Sequence, residues 1–244
     1  VEKPEDVTQG PSGYFYSGLE DGRIVRFKDD GRDPETFVET GGRPLGMQFD
    51  SKGNLIVADA TRGLLSISSA KKIKVLVDTF DGKKLLFVDD LDITSDGKIW
   101  FSDASQKFDL AHFILEAWET RPTGRLFSFD PSTGDTELHL DNLMFANGVA
   151  LGPDEAYVLV NETFRMRTLR LWLKGERAGQ SETFMDGLPG FPDNLSYNDD
   201  GMFWMALTGP RMEMVESLWT GTFLRKVLYR LPSSLHGAKQ QPFG

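Results

Sequence analysis

Glu5, Asp89, Asn147 and Asp193 lie far apart in a chain of 244 residues, yet each stands eight residues ahead of a hairpin turn. Those turns are marked by Gly13, Gly97, Glu155 and Gly201; a fifth, at Gly53, has Leu45 at the matching place. A lone Asp or Asn opening a strand is ordinarily a turn device, since it accepts hydrogen bonds from nearby backbone amides. Recurrence at one register in four of five repeats needs another cause. If the repeats surround an axis, the four side chains converge, and three carboxylates brought together repel one another unless a cation lies among them. Hard carboxylate and amide oxygens, with no His or Cys at that register, select calcium over zinc or copper.

The elements that would bring these residues together are visible as repeats. The segments "EDVTQGPSGYFYSG", "LGMQFDSKGNLIVAD", "DDLDITSDGKIWFSD", "NGVALGPDEAYVLVN" and "DNLSYNDDGMFWMAL" share one design. Each has an alternating strand, a polar turn and a second alternating or apolar strand, the pattern of a hairpin. A further short strand follows: "GRIVRF" from Gly22, "GLLSIS" from Gly63, "GRLFSF" from Gly124, "RTLRLWL" from Arg167 and "KVLYRL" from Lys226. The first four continue into an outer segment such as "KVLVDTF" or "TELHLDNL". Recurrence of roughly forty to fifty residues with about four strands per unit is the signature of a β-propeller. The first strand of each blade then lines the central channel, and the recurring oxygens form a ring at one mouth. The expectation is an all-β chain, one propeller domain over residues 1–244, with five blade repeats to be counted.

Composition removes several classes of function. A net charge of -10, scattered along the chain, argues against nucleic acid as a partner, because phosphate binding needs a basic face. The absence of cysteine removes disulfides, thiolate catalysis and Cys-ligated zinc. No apolar run reaches the length of a membrane span. The sequence begins with Val1 and not Met, which leaves room for a removed targeting or anchoring segment and leaves the compartment open. There is no GxSxG elbow, HExxH pair or phosphate-binding glycine loop, so Ser-triad, zincin and P-loop chemistries find no support.

The stretches "PEDV", "GLEDGRIVRF", "GRPLGMQFD", "GNLIVADATRGLL", "FVDDLDITSDGKIWFSDAS", "GRLFSFDPSTG", "FANGVAL" and "GFPDN" resemble the strictosidine synthase-like family over nearly the whole chain, most strongly the branch containing the adipocyte plasma membrane-associated protein. That family is similar, more distantly, to gluconolactonase and regucalcin, the paraoxonases and diisopropylfluorophosphatase, six-bladed propellers with calcium in the channel. The resemblance therefore implies a six-bladed propeller, with the sixth blade lacking or truncated in this chain. It also implies calcium ligation by Glu5, Asp89, Asn147 and Asp193, with Asn194 or Asp90 adjacent; the residue matching Asn194 takes part in paraoxonases. Relatives usually carry "ND" where this chain has "DD" at Asp89 and Asp90, a change that adds negative charge. The glutamate that serves as base in strictosidine synthase belongs to the sixth blade, and no residue here takes its role.

Two segments interrupt the strand rhythm. "SQKFDLAHFILEAWETRPTG" places Leu110, Phe113, Ile114 and Ala117 at helical spacing, and "GPRMEMVESLWTGTFLRKVL" places Met212, Val215, Leu218 and Trp219 on a comparable stripe. Each reads as a short helical cap over the channel mouth or as a helix packed on the rim. His112, in the first, is the one candidate for a paraoxonase-like general base. Three functions are consistent with this reading. One is a calcium-dependent hydrolase of small, apolar esters or lactones, with Asp193 or Asp90 as base or nucleophile. The others are a strictosidine synthase-type lyase and a noncatalytic propeller stabilised by its metal.

Overall fold

The computed structural model describes residues 3–11, 13–198 and 200–211, and these form antiparallel sheets built from consecutive strands. The first sheet contains β1 (Val7–Gln9), β2 (Phe15–Gly18), β3 (Arg23–Phe27) and β4 (Glu35–Glu39); the second contains β5 (Pro44–Phe49), β6 (Leu55–Asp59), β7 (Gly63–Ile67) and β8 (Ile73–Val77). A short hairpin, β9 (Thr79–Phe80) with β10 (Lys83–Lys84), leads into the third. That sheet comprises β11 (Val88–Ile93), β12 (Ile99–Asp103), β13 (Gly124–Phe129) and β14 (Thr136–Leu143), with the helix α1 (Ile114–Glu119) between its second and third strands. The fourth has β15 (Ala146–Leu151), β16 (Tyr157–Glu162), β17 (Arg167–Trp172) and β18 (Ser181–Met185), and β19 (Gly190–Tyr197) pairs with β20 (Phe203–Pro210).

The expected strands match these elements closely: "TELHLDNL" is β14 and "GRLFSF" is β13. "KVLYRL", from Lys226, lies outside the described residues. The turn residues used to set the register all have left-handed backbone, with φ of 77° at Gly13, 79° at Gly53, 92° at Gly97, 87° at Gly201 and 53° at Glu155. They are equivalent turns, so counting back from them compares equivalent positions.

Each sheet is one blade of a β-propeller. The innermost strands β1, β5, β11, β15 and β19 neighbour one another in chain order, and the apolar cores lie between successive blades. Ile24 and Met47 meet Leu55 and Val57; Ile56 and Ala58 meet Leu91 and Phe101; Trp100 and Leu126 meet Val149 and Val158. A second strand covered on both faces is mostly apolar, and every residue of β6 and β12 is buried, Asp59, Ser102 and Asp103 being the polar members. From the inner strands, Thr8, Gln48, Asp92 and Ser196 line a shared cavity.

Candidate metal centre

Four of the five inner strands, β5, β11, β15 and β19, leave their hydrogen-bonding ladders at the same place. The register breaks between Pro44 and Met47, Val88 and Leu91, Ala146 and Val149, and Pro192 and Leu195. Each break brackets two residues: Leu45–Gly46, Asp89–Asp90, Asn147–Gly148 and Asp193–Asn194. In the first blade, Glu5–Asp6 precede β1, and the amide of Glu5 donates to the Gly18 carbonyl at 3.3 Å. A bulge of this kind re-aims side chains that a regular pleat would alternate between faces.

The first residue of each pair faces the ring. Asp89 is 3% exposed, and the negative charges acting on it are those of Glu5, Asp193, Asp90 and Asp103. Glu5 in turn feels Asp193, Asp6 and Asp90, with Arg43 opposing them. Asn147, also buried, donates through Nδ2 to Asp193 Oδ1 at 2.7 Å. Asn147 and Asp193 are thus joined directly, Glu5 and Asp89 lie within electrostatic reach of one another and of Asp193, and blade two has Leu45 at the matching position. Burial, reinforced by the neighbouring acids, holds the carboxyls of Glu5 and Asp89 well above the usual carboxylate range. Burial also pushes Asp193 up to about 6, against the opposing hydrogen bond from Asn147.

In two of the pairs the second residue, Asp6 or Asp90, fastens its blade to the next. Asp6 accepts the amide of Val7 at 2.7 Å through Oδ1 and, in the next blade, that of Met47 at 2.9 Å through Oδ2. Asp90 repeats this, accepting Leu91 N and, in the next blade, Val149 N, each at 2.8 Å. Glycine occupies the intervening positions because there is no room for more: a Cβ on Gly46 would lie 2.2 Å from Asp90 Oδ1, and one on Gly148 2.3 Å from the Asp193 carbonyl oxygen. Asn194 lines an axial cavity of about 420 Å³ together with Asp6, Asp90 and Trp204.

The structure gives Asp90, the expected base or nucleophile, a positioning part as well. Both of its oxygens are engaged by backbone amides, so it is a strap between blades three and four. His112, the expected general base, lies toward solvent. Its side chain is 62% exposed, and Nδ1 lies 2.7 Å from Asp109 in place of a ring carboxylate. The segment carrying it packs against the starts of the inner strands. Leu110, Phe113 and Ala117 pack with Leu45, Phe87, Phe145 and Phe191, and the last three of those either occupy or directly precede the ring-bearing strands. Glu116 anchors α1, accepting from Ser105 Oγ at 2.7 Å and Thr123 Oγ1 at 2.9 Å. The second expected cap, with Met212, Val215, Leu218 and Trp219, lies outside the described residues.

A set of residues that the sequence reading passed over positions the ring strands. Asp59, Asp103 and Glu162 end the second strands of blades two to four and are fully buried. They accept the amides of Arg43 at 3.0 Å, Phe87 at 3.0 Å and Met144 at 2.7 Å, two or three residues ahead of Leu45, Asp89 and Asn147. Arg125 pairs with Asp103 at 2.6 Å, and Arg165 and Arg167 pair with Glu162. The signal was present in the acids closing "LIVAD", "IWFSD" and "YVLVNE".

The donor set suits a hard cation. Glu5 Oε2 and Asn147 Oδ1 are buried and have no hydrogen-bond partner among the described residues, a costly arrangement unless something else satisfies them. Among the described residues no three His, Cys, Asp or Glu side chains are drawn into a ready-made ligand cluster, so the ring oxygens would have to close in on an ion. Also among the described residues, no helix is long and apolar enough to cross a membrane.

Comparison with known proteins agrees with this architecture. The family described as strictosidine synthase matches residues 89–176, and the strictosidine synthase-like N-terminal family matches residues 2–27. Strictosidine synthase-like 4 of Arabidopsis thaliana is 39% identical across 94% of this chain and 63% of its own length. Strictosidine synthase-like 10 of the same plant is 37% identical across 95% of this chain and 67% of its own length. The adipocyte plasma membrane-associated protein of Rattus norvegicus is 34% identical across 89% of this chain and 63% of its own length. This chain thus spans less than two thirds of the length of several curated relatives. Among solved structures, a gluconolactonase from Xanthomonas campestris superposes with a TM-score of 0.72 at 18% identity, covering 85% of this chain and 71% of that one. Regucalcin from Agrobacterium tumefaciens, a calcium-binding protein, gives 0.66 at 16%, covering 84% and 68%. At such identities the structures support the propeller fold, while the sequence matches fix the family. The chain belongs to the strictosidine synthase-like family.

Proposed function

We propose that this chain forms the calcium-binding centre of a hydrolase acting on small, apolar esters or lactones. The observation that carries the reading is that Glu5 Oε2 and Asn147 Oδ1 are buried and unsatisfied among the described residues, the latter on a side chain bonded to Asp193. Glu5, Asp89, Asn147 and Asp193 would hold the ion, and Asn194 is adjacent through the bulge. When bound, calcium supplies polarisation of a carbonyl oxygen and stabilisation of the charge that develops on it. Asp193 takes the proton of the attacking water, with Asn147 Nδ2 fixing the orientation of its carboxylate. Asp6 and Asp90 keep the ring in register, and the Phe87, Phe113, Phe145 and Phe191 cluster favours an apolar acyl or alcohol group over a charged one.

Membership of the strictosidine synthase-like family keeps condensation of an amine with an aldehyde as the second reading. Hydrolysis of phenyl acetate and a panel of lactones, followed with calcium and with chelator, separates the two. Metal-dependent turnover supports the hydrolase; inactivity toward every ester and lactone with calcium demonstrably bound would refute it.

A further inference from the structure

Blade two interrupts the ring of oxygens and brings a cation instead. Its ring position is Leu45, and two residues earlier stands Arg43, 9% exposed. The backbone amide of Arg43 donates to Asp59 Oδ1 at 3.0 Å, and its Nη2 donates to the Lys3 carbonyl at 3.1 Å. Nη1 is buried and has no hydrogen-bond partner among the described residues. The same is true of Glu5 Oε2, on the side chain whose surrounding acids, Asp193, Asp6 and Asp90, Arg43 opposes. A guanidinium and a carboxyl thus lie within electrostatic reach of each other, each with one unused buried atom, and are tied to the same short segment through residues 3 and 5. A buried guanidinium ordinarily spends its donors on oxygen.

We propose that Arg43 is the resident counter-charge of the ring, neutralising part of it in the metal-free protein and limiting how tightly calcium is held. The second half of this proposal rests on the calcium reading; the first does not. Glu5 has two claimants, the guanidinium and the ion, and a fixed positive charge on one side of the ring repels a second arriving in its centre. Leu45 offers no oxygen on the same side, so blade two opposes the cation where the other four attract it. The competing explanation is mechanical: Arg43 is only a strap that holds the Lys3 carbonyl.

Four variants of the full chain decide between these: Arg43→Met, Arg43→Lys, Glu5→Gln and the double variant Arg43→Met with Glu5→Gln. Calcium affinity is read by calorimetry and metal-free stability by denaturant unfolding. A counter-charge predicts that Arg43→Met binds calcium about tenfold more tightly, the scale of one removed charge in a partly screened site, and unfolds more readily when metal-free. Arg43→Lys keeps the charge and should match the parent in both measurements. Glu5→Gln should relieve most of the metal-free loss in the double variant, because the partner needing neutralisation is gone. The proposal is overturned if folded Arg43→Met binds calcium equally or less tightly, or if its metal-free loss persists undiminished beside Glu5→Gln, which is the strap's signature. A parent protein that binds no calcium would remove the calcium reading, and the metal-free comparison would still settle the role of Arg43.

Discussion

Asn147 Nδ2 donates to Asp193 Oδ1 at 2.7 Å, joining the bulges of two successive blades through residues 46 positions apart. The bond fixes which Asp193 oxygen is engaged and leaves the amide oxygen of Asn147 buried without a partner among the described residues. It therefore orients two ring donors at once.

The two acidic ring positions should respond differently to substitution. Asp193→Ala removes a ligand and the proton acceptor together, and turnover should fall by at least about a thousandfold, combining the loss of a metal ligand with that of a general base. Asp89→Asn keeps an oxygen and removes one negative charge, which leaves the cation less neutralised and more polarising. That variant should bind calcium more weakly yet retain or raise its rate at saturating metal. Rates measured over a range of calcium concentrations separate lost occupancy from lost chemistry. An inactive Asp89→Asn with its site filled would make Asp89 a proton-transfer group.

The metal-free protein should lose stability as pH rises. Glu5, Asp89 and Asp193 all have folded pKa values above their unfolded ones, so the native state holds extra protons above the unfolded values and stability falls as pH rises toward and through the folded ones; for Asp193 that interval runs from 3.8 to about 6. Asp193 alone, raised from 3.8 to about 6, accounts for up to about 3 kcal/mol. His139, whose pKa burial lowers, contributes the opposite slope, which makes Asp193→Asn the necessary comparison. Chelated protein should melt lower at pH 7.5 than at pH 5.5, Asp193→Asn should flatten the difference, and calcium at pH 7.5 should restore the loss. A chelated protein whose stability rises over that interval would contradict the charge assignment.

Much of this site can be read in the sequence, because register and turn chemistry are local properties. Gly13, Gly53, Gly97 and Gly201 mark turns with positive φ, and eight residues back the ring positions follow directly. What the sequence hides is non-local. Glu5 and Asp6, or Asp89 and Asp90, are chemically alike neighbours, and only the break in strand pairing sends one to the ring and the other to the next blade. Gly46 and Gly148 look like ordinary turn residues until the approach of the following blade is known. The helix expected from the Leu110–Ala117 stripe is regular only over Ile114–Glu119, because Leu110 and Phe113 reach the core through turns.

The positioning acids can be tested through the buried pair of Asp103 and Arg125, whose side chains are 0% and 5% exposed. Burial holds Asp103 above its ordinary range although Arg125 opposes this, so removing Arg125 leaves an acid that must stay charged without its partner or take up a proton. Arg125→Met should destabilise the fold by roughly 3 kcal/mol, the usual cost of breaking a buried pair from one side. Replacing both partners with apolar residues should cost less stability but weaken calcium binding, since Phe87 N loses the acceptor that sets the start of the Asp89 strand. Denaturant unfolding and calcium titration of the two variants give the comparison.

Calorimetric titration of chelator-treated protein with calcium tests the central claim most directly. The ring geometry predicts saturable binding of one ion at this centre, lost in Asp89→Ala and in Asp193→Ala but kept in His112→Ala, and a structure of the complex should place oxygens of Glu5, Asp89, Asn147 and Asp193 at about 2.3 to 2.6 Å from the ion. Folded protein that takes up no calcium, or that binds it equally well after both ring substitutions, would contradict the account.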